Sequence, residues 1–227
     1  MNFSFLSQYY PFYLSGAVVT LFVSLVVVVF GTLIGVLVGM LKLSRFKVVR
    51  FIASCYIELF RGTPMFVQIL IGFVLLYNKV PMPKLYIMNA ELALVMAGVI
   101  PMAMNSGAYV AEIVRGGIQA VSKGQTEAAY SLGLRPGLTM RFVVLPQAIR
   151  NILPALGNEF VTIIKDSSLL SAIGVAELVF GATRVQTITF LGIEPLYVVT
   201  GIYFVLTFTT SRLLILLEKK LSKGYAK

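Results

Sequence analysis

Five stretches of this chain are apolar over lengths that cross a lipid bilayer, and this constrains the fold more than any other feature. A helix needs about 20 mostly apolar residues to span ~30 Å of hydrocarbon. The stretches run from about Gly16 to Leu41, Phe51 to Tyr77, Leu92 to Val114, Phe142 to Ile164 and Leu196 to Leu217. The second carries a flaw at Arg61-Gly62-Thr63-Pro64. Barrel strands would alternate polar and apolar residues, and these runs do not. Charge is correspondingly scarce: 12% of residues are charged and 58% hydrophobic, against about 25% and about 45–50% in soluble domains. The predicted fold class is all-α and integral to a membrane, with about five transmembrane helices. No segment rich in Pro, Gly or Ser divides the chain, so residues 1–227 read as one domain.

The basic residues set the direction. Lys42, Arg45, Lys47 and Arg50 fall in the first connection, and Arg115, Lys123, Arg135, Arg141 and Arg150 in or beside the third. Arg212, Lys219, Lys220, Lys223 and Lys227 follow toward the C-terminus. The opposite side has Lys79, Lys84, Lys165 and Arg184. The positive-inside bias puts the richer side in the cytoplasm and the N-terminus outside. Met1 to Tyr13 carries no basic residue and so lacks the charged n-region of a cleaved signal peptide. The first span is expected to remain. Its Gly31, Gly35 and Gly39 form one smooth face, suited either to packing within the chain or to contact with a second subunit.

Composition also excludes activities. The chain has no histidine, so a Ser-His-Asp triad, a Cys-His pair and an HExxH zinc site are ruled out. With Cys55 as the single cysteine there is no intrachain disulfide. No G-x-x-x-x-G-K-[ST] occurs, so no nucleotide is held by a P-loop. No catalytic or metal residues are assigned. The net charge of +10 reads as a topology signal and not as a nucleic-acid footprint.

Ionisable groups within spans are costly, roughly 2.5–3.5 kcal/mol each on insertion scales, so each calls for a partner or a function. Glu58 and Arg61, and Glu112 and Arg115, are spaced three apart and read as salt bridges. Glu159, next to Asn158, has no basic residue three or four positions away. Either Arg61 from another helix neutralises it or a cationic substrate does. Helix breakers gather at similar depth: Gly62 and Pro64; Gly98, Pro101 and Gly107; Pro146, Pro154 and Gly157. They read either as ordinary kinks or as three interrupted helices around a transport site. In the second reading Glu159 faces the substrate cation, with Asn158 and Thr162 adding hydrogen bonds. Thr63 and Ser106 lie near the breaks and suit an α-carboxylate or α-amine, and Glu58 is a weaker candidate.

The third connection, about Gly116 to Arg141, is the longest inside. Ser122 and Gln125 fit a capping box. A short helix then ends at Gly133, a suitable C′ residue. Glu127-Ala128-Ala129, Gly133 three residues on, and Val143-Val144-Leu145-Pro146 after nine more resemble the E-A-A-x3-G-x9-I-x-L-P loop of ABC-importer permeases, with Val143 at the isoleucine position. Glu58-Leu59-Phe60-Arg61-Gly62-Thr63-Pro64, Ala111-Glu112-Ile113-Val114-Arg115-Gly116-Gly117-Ile118, Leu145-Pro146-Gln147-Ala148 and Lys165-Asp166-Ser167-Ser168-Leu169 look like the polar amino-acid uptake subfamily, whose members carry histidine, arginine, glutamine or glutamate. The resemblance covers about residues 12–220.

It implies a multi-pass permease in a bacterial inner membrane. It also implies a second permease copy or close relative, two ATPase subunits holding ATP and magnesium, and an extracytoplasmic solute-binding protein. This chain itself would hold no cofactor, and its surroundings are lipid. Glu127, Ala128, Ala129 and Gly133 would form the cytoplasmic coupling helix that an ATPase grips. A basic amino acid is the expected cargo, with glutamine or glutamate as the alternative. An ATPase-independent secondary transporter would leave the loop unexplained, and a scaffold or sensor that transports nothing would not need polar groups at the centre of three broken helices.

Overall fold

The computed structural model describes residues 3–77, 79 and 85–223. Lys84 and Lys227 of the charge argument lie outside them. The described residues are almost wholly helical: α1 Leu6–Lys42, α2 Lys47–Gly62, α3 Met65–Gly72, α4 Leu92–Gln119, α5 Lys123–Ser131, α6 Pro136–Thr139, α7 Leu145–Asp166, α8 Leu178–Thr189 and α9 Glu194–Lys223. A two-residue hairpin, β1 Tyr86–Ile87 with β2 Ala90–Glu91, precedes α4.

Three helices, α1, α4 and α9, are long and apolar enough to cross a membrane. The pair formed by α2 and the stretch Met65–Tyr77 makes a fourth if it counts as one span, although it is bent by 101°. The expected span from Phe142 to Ile164 is different. A wide π turn occupies Met140–Val144, and α7 begins only at Leu145, with Pro146 in its first turn. Arg150, Glu159, Lys165 and Asp166 make α7 too polar to qualify as a span by composition. It is an amphipathic helix laid against α4 and α9. α8 was not anticipated, and α1 begins ten residues earlier than expected.

The bundle is organised around the seam between α1 and α4. Gly31, Gly35 and Gly39 face α4, which decides for packing within the chain. The approach is closest at Gly35: a Cβ there would lie 2.9 Å from the Gly107 carbonyl oxygen and nearer still to the Val110 side chain. The principal core, with Val19, Val23, Val27, Ile69, Val99, Met102, Ile163 and Leu170, sits beside this seam.

Only one of the three expected interruptions breaks a helix. Thr63 is extended (φ −119°, ψ 147°), as the residue before a proline must be, and Pro64 opens α3. α4 runs unbroken through Pro101, and α7 through Pro154. Proline 101 removes the donor that would bond the Ala97 carbonyl. That carbonyl lies against Gly72 of α3, where a Cβ would come within 2.8 Å. The neighbouring helix thus covers the orphaned carbonyl, and α4 continues past it.

Glu177 secures the far end. Fully buried, it caps α8 by accepting the N–H groups of Val179 (2.9 Å) and Phe180 (2.8 Å), and it accepts the Tyr203 hydroxyl of α9 at 3.0 Å. Losing this acceptor strands three donors in the core. Glu177→Ala is expected to cost about 3 kcal/mol, visible as a lower unfolding temperature in lipid. Glu177→Gln, which keeps one acceptor oxygen, should recover part of the loss.

Candidate functional site

One set of interior polar side chains gathers on α4. Asn105 and Ser106 are consecutive, so they point about 100° apart around the helix. Asn105 donates from Nδ2 to the Phe60 carbonyl (2.8 Å) and to Gln68 Oε1 (2.9 Å). Gln68 in turn donates from Nε2 to the Phe60 carbonyl (3.0 Å), the Thr63 carbonyl (3.2 Å) and Thr63 Oγ1 (2.7 Å). These bonds satisfy carbonyls freed where α2 stops and hold the α2–α3 break onto α4. Ser106, on its other side, donates to Glu159 Oε1 of α7 at 2.8 Å.

Ser106 and Glu159 therefore do come together. Thr63 joins the same line through Gln68 and Asn105, with its own hydroxyl donated to the Leu59 carbonyl at 2.8 Å. Asn158 and Thr162 flank Glu159 on the exposed side of α7, where the Thr162 hydroxyl bonds the Asn158 carbonyl at 3.1 Å. Glu58 stands apart. It is exposed on α2 and makes no hydrogen bond or ion pair among the described residues. The expected Glu58–Arg61 bridge does not form. Arg61 instead places its guanidinium 5.1 Å from the centre of the Tyr109 ring on α4. The cation gains a π face there, and this leaves both Glu58 and Glu159 without it. Among the described residues Glu159 has no cationic neighbour within ion-pair distance.

Glu112 is committed elsewhere: it binds Arg115 at 2.6 Å as the spacing predicts, and also Lys42 of α1 at 2.8 Å. Gln68 and Asn105 were not singled out for the site. Gln68 was nonetheless visible as a lone amide within the apolar run Met65–Gly72, and Asn105 as a polar residue beside Ser106.

A second group of residues lies at the α5 end. Ser122 takes the N-cap position, but its side chain does not cap; the Gln125 N–H bonds the Ser122 carbonyl instead (3.0 Å), so the capping box does not form. The other end is as expected. Gly133 adopts φ +81°, its N–H bonds the Tyr130 carbonyl (2.9 Å), and the Leu134 N–H bonds the Ala129 carbonyl (3.1 Å). This is a Schellman closure, which needs a left-handed residue at this position. Glu127, Ala128 and Gly133 are exposed, Ala129 is buried beneath them, and Leu132 is 83% exposed. An acidic and apolar surface is thus offered outward on a fixed turn.

Comparison with known proteins identifies the family and the fold. The family of binding-protein-dependent transport system inner membrane components matches residues 31–223, and the chain belongs to it. A putative glutamine transport system permease protein of Rickettsia felis is 37% identical over 222 residues, 96% of this chain and 98% of that one. An arginine transport system permease protein of Bacillus subtilis is 34% identical, covering 99% of each chain. A glutamine transport system permease protein of Escherichia coli is 35% identical over 93% of each. Among solved structures, an amino acid ABC transporter crystallised with histidines matches with TM-score 0.85 and 43% identity, over 97% of this chain and all of that one. The methionine transporter MetNI, at 19% identity and TM-score 0.77, shares the fold. The protein is thus a multi-pass inner-membrane permease subunit of an ABC amino-acid importer, and ATP hydrolysis belongs to a separate chain.

Proposed function

We propose that this permease imports a basic amino acid and that Glu159 is the group that meets its positive charge. The observation that carries this reading is the half-buried Glu159 carboxylate. Ser106 holds one of its oxygens, and no cation of the described residues lies within ion-pair distance. A carboxylate left in that state in a membrane bundle favours a cationic ligand. Ser106 fixes its orientation, and Thr63 stands at the helix break on the other side of α4. Asn158 and Thr162 flank the carboxylate, and Glu58 has the weakest case.

The subunit works by alternating access within one membrane domain. An extracytoplasmic solute-binding protein delivers the amino acid to a pair of permeases, either two copies of this chain or this chain with a close relative. Two ATPase subunits bind below, with ATP and magnesium held on them. Each grips α5 through Glu127, Ala128 and Ala129, and Gly133 sets the angle at which that helix returns to the bundle. Closure of the ATPase pair moves α5 and rocks the bundle. The ligand biases the outward and inward states only as far as its affinities for them differ.

A second reading has its own support. Relatives from Rickettsia felis and Escherichia coli carry the name glutamine permease. In a glutamine carrier Glu159 would meet the α-ammonium group that every free amino acid bears. Uptake into proteoliposomes holding the assembled importer separates the two. For a basic cargo, Glu159→Gln lowers arginine uptake more than about thirtyfold, the scale of a lost charge-assisted hydrogen bond, and spares neutral amino acids. Equal losses for arginine and glutamine, or a wild type that takes up glutamine alone, would give the place to the second reading.

A further inference from the structure

We propose that a cationic cavity at the α5 end of the bundle binds the phosphate-bearing headgroup of an anionic phospholipid. The cavity, about 660 Å3 in volume, lies where the end of α1, the first turns of α2 and the end of α4 meet. Lys42, Lys47, Arg50 and Arg115 line it, with the Ser54 hydroxyl and Gln119 beside them. A single carboxylate, Glu112, answers this group, and Lys42 and Arg115 share it. Lys47 and Arg50 have no acidic partner among the described residues. The first turn of α2 holds no acid and no side chain caps it, so nothing local offsets the positive charge. Four cations around one cavity suit a phosphate monoester or diester, which accepts several charge-assisted hydrogen bonds at once.

The surroundings say where that phosphate comes from. Phe46, Val48, Phe51 and Ile52, on or next to the same turns of α2, are 60%, 71%, 68% and 62% exposed. Arg45 stacks on Phe46 with its guanidinium 5.0 Å from the ring centre. A pocket for a soluble phosphate gains nothing from bulky apolar side chains standing around it in water. A phospholipid uses both features, since its headgroup reaches the cations while its acyl chains cover the apolar flank.

The test is lipid retention by the importer purified with its partner chains. The complex is placed in nanodiscs of phosphatidylcholine doped with phosphatidylglycerol, extracted, and its bound lipid counted by native mass spectrometry. Lys47→Gln with Arg50→Gln should lower phosphatidylglycerol retention roughly thirtyfold. Arg141→Gln with Lys220→Gln, which removes as much charge from other helices, should leave it unchanged. Glycerol 3-phosphate at millimolar concentration should not displace the lipid. Equal retention in all variants, or equal losses in both pairs, overturns the site and leaves these cations as topology signals. Displacement by glycerol 3-phosphate overturns the lipid as its occupant. Loss of the ATPase from the Lys47/Arg50 variant with lipid retention intact assigns the cavity to the protein partner and likewise overturns the proposal. None of these readouts depends on which amino acid is carried.

Discussion

Gly35→Leu is expected to give the most damaged protein of any single change considered, because it strikes the seam on which the bundle is assembled. The glycine lies where α1 and α4 are so close that even a methyl group would meet the Gly107 carbonyl oxygen at 2.9 Å. A backbone carbonyl within a helix cannot turn aside as a side-chain tip can. The helices must separate, and the core contacts of Val27 and Met102 beside the seam loosen with them. Overpacking of this kind costs about 3 kcal/mol, and more when backbone has to move. The measurement is the fraction of monodisperse protein after extraction, together with its unfolding temperature. Gly116→Ala is the control: it lies in α4 with nothing within 4 Å of its added Cβ, so it should be neutral or slightly stabilising. Similar damage from both changes would show that helix glycines here serve flexibility and not close approach.

The second large effect is expected at Gly133. A Cβ there meets nothing within 4 Å, so the penalty of Gly133→Val comes from the backbone alone. At φ +81° a β-branched residue is strained by about 1–2 kcal/mol or more. The chain relieves this by opening the two hydrogen bonds that close α5. The helix keeps its sequence but loses its fixed angle to the bundle. ATP-driven uptake should fall about tenfold or more while the protein still reaches the membrane, and the ATPase should no longer co-purify. Gly133→Asn, which accepts left-handed dihedrals far better, should retain most of both. Normal co-purification of the Gly133→Val protein would count against α5 as the coupling element.

Features fixed locally were legible in the sequence. The break at Thr63-Pro64 follows from proline sterics, the left-handed close of α5 from one glycine, and the Glu112–Arg115 bridge from a spacing of three. Features decided by a neighbour were not. The ladder of Gly31, Gly35 and Gly39 announces a close partner, but nothing in its spacing says that the partner is α4. Pro101 reads as a breaker until Gly72 is seen lying against the Ala97 carbonyl. Arg61 has an acid at the right spacing and still turns to Tyr109, since a ring on the adjacent helix lies within its reach. Of the candidate site, Ser106 and Glu159 meet, although 53 positions separate them. Glu58 belongs to another surface. Gln68 shows its role only when the bent chain brings the carbonyls of Phe60 and Thr63 round to its amide.

If the bundle works by the proposed alternating access, the adjacency of Asn105 and Ser106 limits how it can open. Each grips a different neighbour, and both are carried on one rigid turn. Twisting α4 to relax one grip strains the other, so intermediate postures gain little. The bundle should act as a latch with two stops, resting with both grips closed and switching only when the motor supplies enough work to release one of them outright. Leakage between strokes would then be rare, because partial release is not a resting place.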